Sequence, residues 1–184
     1  MTSTTLPGTT IPTLVDHPLP RPAELPAPRV DRAPDPARAV LLLHDLQEHS
    51  LDAPTPTSRA QPPAAVRRVR GSGRRPERAG TAAEVAPRGG DTVLPERRHS
   101  ASHRSTPGAD PARSGRDQLL VTGVCASTGR QVSACEAFTG DVQPFLVGDA
   151  VADVDRARHD GALGWVSATC GVVLSADRVD EVFA

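Results

Sequence analysis

Residues 117–129 read DQLLVTGVCASTG. Leu119, Leu120 and Val121 are adjacent and Val124 follows, so apolar and polar residues do not alternate. A strand with one wet face alternates; a strand covered on both faces does not. The segment predicts a buried strand of a parallel sheet, stopped by the small-residue turn CASTG. The same pattern repeats downstream. Residues 130–139 suit a helix with Val132, Cys135 and Ala137 to Phe138 turned inward. QPFLVGDA (143–150) contains a strand. Residues 155–168 suit a second helix, with Ala162, Leu163 and Trp165–Val166 on its apolar side. CGVVLS (170–175) is a further strand. Upstream, AVLLL (39–43) is another unbroken apolar run.

Strands alternating with helices predict an α/β chain: a Rossmann-like three-layer sandwich with a mostly parallel sheet, strands at 39–43, 117–124, 144–148 and 170–174. Ligands of such sheets sit outside the carboxyl ends of the strands. The AVLLL run ends in His44-Asp45, so that pair and the Cys125–Gly129 turn belong to one edge. The plain reading of Asp45 is a residue that ends a strand and caps the next helix. The chemical reading is a carboxyl at a strand tip, dry enough to act as a general acid.

Composition divides the chain. Of its 184 residues, 38% are hydrophobic, and all four aromatics lie after residue 137. Eighteen of the 19 prolines lie before residue 112. Residues 1–116 carry net charge +5 and residues 117–184 carry −6, so the near-neutral whole gives no general attraction to nucleic acid or membrane. Residues 1–38, with PLPRP and LPAP, read as an extended Pro-rich arm wrapped on the domain or on a partner. The domain proper is expected over 39–184. It carries a poorly ordered Arg/Pro-rich insert at about 53–88, where large aliphatics are too few to offset ordering entropy. DTVL (91–94) suits a short strand.

Three cysteines without a CxxC support neither a zinc ribbon nor a redox pair. His44/His49 and His99/His103 lack a third ligand nearby, so no metal is expected. No base is placed to activate Cys125, which reads as a small buried thiol. Seven arginines in 59–78 without interleaved aromatics read as a solvated loop, not a nucleic-acid surface. The start MTSTTLPGTT has no basic and apolar leader, and no segment is apolar over a bilayer's width. A cytoplasmic protein with free thiols is expected.

Four stretches, HPLPRPAELPAPR (17–29), ARAVLLLHDLQ (37–47), EVAPRGGDTVL (84–94) and RHSASHRS (98–105), stand beside the long run from Gly115 to Val179, with its spacing of GV, G, DVQPF and DAVAD. With these residues the chain resembles the isochorismatase-like hydrolases, most closely the stand-alone isochorismatases of phenazine and siderophore pathways. The resemblance is strongest in the last run and covers residues 11–52 and about 84–179.

The resemblance implies hydrolysis of the enolpyruvyl side chain of isochorismate or 2-amino-2-deoxyisochorismate, releasing pyruvate without a cofactor. It implies a homodimer, and a cis peptide at Val124–Cys125. Asp45 falls on the catalytic aspartate of the HDxQ motif. Gln47, Arg98, Cys125 and Gly129 fall on substrate-binding positions. Related cysteine hydrolases carry their nucleophile at the position of Gly129, and the glycine favours the isochorismatase branch. Glu96 falls on the family's lysine, Arg97 on a tryptophan, His99 on a tyrosine, Ser102 on a phenylalanine and Cys125 on a tyrosine. The stretch between the two motifs is shorter by roughly thirty residues, about one β-α unit. These departures imply turnover below that of an intact relative. The alternative is a family member that keeps the fold and a dimer surface without turnover, or the product of a decayed gene.

Overall fold

The computed structural model describes residues 17–44, 87–93 and 115–184. Four strands form one sheet in the order β1 (Ala39–His44), β2 (Gln118–Val124), β3 (Gln143–Ala152) and β4 (Val172–Leu174). All three neighbouring pairs are parallel. A π-helical turn, Ala126–Arg130, leads from β2 into α1 (Gln131–Thr139). Helix α2 (Arg156–Thr169) joins β3 to β4, and α3 (Ala176–Phe183) ends the chain.

The lack of alternation in the strands has its cause in the layers. Leu120, Val124, Phe145, Val147, Val172 and Leu174 face α3 through Ala176 and Val179. Leu119, Val121, Leu146, Val151 and Val173 face α1 and α2 through Ala134, Ala162, Leu163 and Val166. Both faces are covered, so both sets of positions are apolar. This is the expected three-layer sandwich.

Several expectations need correction. On α1 the buried residues are Ser133 and Ala134; Val132 and Phe138 are exposed and Cys135 and Ala137 half-buried. Cys135 and Ala137 pack against the core as expected, but Val132 and Phe138 do not, and Ser133 and Ala134 take the fully buried places. On α2, Ala162, Leu163 and Val166 point inward as expected, but Trp165 is exposed and His159 takes a buried place. β3 runs on to Ala152, past the expected end. β4 starts at Val172 instead of 170. Helix α2 continues to Thr169, and the amides of Cys170 and Gly171 still bond the Val166 carbonyl, so two residues are spent on the turn. Residues 91–93 are not a strand: the Asp91 carboxylate accepts the Arg88 N–H at 2.7 Å and closes a turn. Leu94 lies outside the described residues, as does the expected insert apart from Pro87 and Arg88. Helix α3 was not anticipated. Its start is marked by Ser175, whose hydroxyl accepts the Arg178 N–H, and its buried side by Ala176 and Val179.

The described part of the arm, from His17, lies against the sheet layers. Leu25 packs into the α1/α2 core. It sits so close to Gly148 that a Cβ there would fall 2.5 Å from the leucine methyl. Ser167 donates to the Ala27 carbonyl at 3.1 Å. The buried Gln118 amide takes the Asp35 N–H at 2.6 Å and donates to Gln143 at 3.2 Å. Arg38 forms a two-pronged ion pair with Asp117, joining the starts of β1 and β2.

Candidate active site

Parallel pairing brings the strand ends together. His44, the last residue of β1, lies beside Gly123 of β2, and Gly123 lies beside Val151 of β3. Gly123 has φ of 115°, and a Cβ on it would stand 1.9 Å from the His44 carbonyl oxygen. Only glycine allows that approach. The hydroxyl of Thr122 donates to the Leu42 carbonyl at 2.9 Å and binds the same two strands one step earlier.

After β2 the chain turns sharply. The Val124–Cys125 peptide is cis, as the resemblance implied. The Cys125 carbonyl accepts the Thr128 N–H at 3.3 Å. Gly129 is buried, while Cys125 is half-buried, more open than the buried thiol expected. Asp153 follows β3 and is itself buried; its carboxylate accepts the N–H of Ser127 and, at 2.7 Å, that of Val154. Arg130 closes the turn and is fully buried. Its Nε–H donates to His44 Nδ1 at 3.2 Å, so the ring nitrogen facing it is an acceptor and a neutral ring carries its proton on Nε2.

Of the residues singled out in the sequence, Cys125 and Gly129 share this edge with His44, to which Asp45 is directly bonded. Asp45, Gln47, Glu96 and Arg98 lie outside the described residues. The sequence reading missed Arg130 and Asp153. The signal for Arg130 was an arginine directly after the CASTG turn, at the start of a helix that packs on apolar strands. For Asp153 it was a second carboxylate in DAVAD, at a strand's end.

Burial, with Cys135 adding a smaller part, pushes the Cys170 thiol up to about 11, which makes it a poor nucleophile. No group of three metal-ligating side chains occurs among the described residues. No described helix is long and apolar enough to cross a membrane.

The Isochorismatase domain family matches residues 37–178. The isochorismatase of Bacillus subtilis is 32% identical over 206 aligned positions, which take in 92% of this chain and 65% of the relative. The chain thus spans just under two thirds of that relative's length. The phenazine biosynthesis protein PhzD1 of Pseudomonas aeruginosa is 33% identical, with 93% of this chain and 99% of the relative covered. Among solved structures, an isochorismatase from Pseudomonas putida superposes with a TM-score of 0.69 at 17% identity, covering 83% of this chain and 98% of that one. That likeness concerns the fold.

Proposed function

Because the chain belongs to the isochorismatase family, we propose that it hydrolyses the enolpyruvyl vinyl ether of isochorismate or 2-amino-2-deoxyisochorismate. The setting would be siderophore or phenazine-type metabolism in the cytoplasm. The observation that carries this reading is the meeting of the β1 tip and the Cys125–Gly129 turn at one carboxyl edge, with Asp45 the next residue after His44. In this reading Asp45 protonates the terminal vinyl carbon, which becomes a methyl group, and an oxocarbenium ion forms. Water adds and returns a proton to Asp45. The hemiketal then collapses, its hydroxyl proton passing to the ring oxygen, and pyruvate leaves. Gln47, Arg98, Cys125 and Gly129 contact the substrate.

In this reading Glu96 falls on the family's lysine position, where a cation would hydrogen-bond the substrate and stabilise the anionic form of Asp45 between turnovers; a carboxylate there would do the opposite. The reading therefore includes slow turnover. The segment between β1 and β2 is read as shortened by about one β-α unit.

Pyruvate release from isochorismate, coupled to lactate dehydrogenase, tests the proposal. Asp45→Ala abolishes release. Glu96→Lys raises it by about 10-fold or more, the scale of one charged contact to the reacting group. A wild-type rate unchanged by Asp45→Ala refutes the assignment of the acid.

A further inference from the structure

Strands β2 and β3 pair in two registers. Val121 faces Leu146, but Gly123 faces Val151 and Val124 faces Ala152. Between these pairs β3 spends three more residues than β2, so it bulges. Carried one step past the strand ends, the second register sets Asp153 beside Cys125. Without the bulge that place would fall to Ala150, which has no polar side chain. The bulge thus decides which residue stands against the turn after β2.

Asp153 uses the place fully. It is 7% exposed. Oδ2 accepts the N–H of Ser127, in the middle of the turn, and Oδ1 accepts the N–H of Val154 at 2.7 Å. One carboxylate therefore clamps the turn to the end of β3. The residues of this turn have little apolar surface with which to hold themselves, being Cys125, Ala126, Ser127, Thr128 and Gly129. Hydrogen bonds to an ionised acceptor are among the stronger ones available to such a turn.

We propose that Asp153, placed by the β3 bulge, is a positioning residue of the candidate site, holding the Cys125–Gly129 turn in the shape that receives the substrate. The inference rests on the reading above, in which this turn contacts the substrate. Asn at 153 keeps the volume and one acceptor oxygen but turns an NH2 group toward one of the two amides.

The test compares wild type with Asp153→Asn in two measurements: amide hydrogen exchange at Ser127, and steady-state pyruvate release from isochorismate. The expected result is a folded variant in which the Ser127 amide exchanges about tenfold or more faster. KM rises by a similar factor, while kcat changes less. A uniform loss of active protein would instead lower apparent kcat and leave KM alone, and that result overturns the proposal. So does unchanged protection at Ser127, or faster exchange with both kinetic constants at wild-type values. If wild type releases no pyruvate, the functional reading fails. The exchange measurement then decides the clamp by itself: protection lost supports it, protection kept overturns it. If Asp153→Asn does not fold, Asp153→Glu, which keeps the charge and displaces it by one methylene, is judged by the same criteria.

Discussion

Gly123 leaves no room for a side chain beside the His44 backbone. A methyl group at 123 would meet the His44 carbonyl oxygen at 1.9 Å, in a backbone conformation that side chains disfavour. Gly123→Ala is expected to cost at least about 3 kcal/mol, read as a lower urea midpoint, because strain and overpacking add. Arg130 and His44 join the turn after β2 to the tip of β1. His44→Leu removes an acceptor from a buried guanidinium that cannot lose its charge, and is expected to cost about 2–3 kcal/mol, read as a lower urea midpoint. A midpoint at the wild-type value would contradict this account. The tip of β1 was legible, because an apolar run that stops at polar residues is visible in one dimension. The burial of Arg130 was less so: its place after the CASTG turn is visible, but the sequence does not tell an arginine that begins a helix in solvent from one that begins it under a strand tip.

Among the helices, α2 carries a titrating core residue. His159 is fully buried, donates from Nε2 to the Gly148 carbonyl at 2.9 Å, and meets His17 of the arm at 3.4 Å through Nδ1. Burial holds its pKa below the usual 6.5; the Gly148 carbonyl acts the other way and His17 again lowers it. The unfolded chain therefore takes up a proton near 6.5, where the folded chain does not. Stability from this residue is full above that pH and is lost as the pH falls below it, by at most about 1.4 kcal/mol per pH unit. Urea midpoints between pH 7.5 and pH 5 should show the decline, to be measured over about those limits. His159→Gln, which can still donate to the carbonyl without titrating, should flatten it. At this scale the sequence located α1 and α2 well and read the buried side of α2 at Ala162, Leu163 and Val166, but misplaced Trp165 on α2 and Val132 and Phe138 on α1. Helix α1 presents Ser133 and Ala134 to the sheet and leaves Phe138 51% exposed.

For the molecule as a whole, exposed Phe138 and Trp165 stand on α1 and α2, which pack on the same side of the sheet. We propose that the protein is a homodimer. Sedimentation should show a dimer at micromolar concentration, and a stable monomer would contradict it. We also propose that the described part of the arm, residues 17–38, folds as one unit with the described part of the domain. Leu25, Ala27, Ala33 and Asp35 supply the contacts that support this.

Unbroken apolar runs determined the α/β class and the parallel sheet by themselves, because a strand covered on both faces leaves no polar periodicity. The turn after β2 and the glycine within it were also legible, since small residues in sequence are small residues in space. The tertiary structure alone decided the rest. The three extra residues of β3 move Asp153, in place of Ala150, against the turn. The parallel pairing of β1 with β2 brings His44 to Arg130 across 86 positions of chain. Both depend on register between strands, a relation between distant segments that no local pattern of residues encodes.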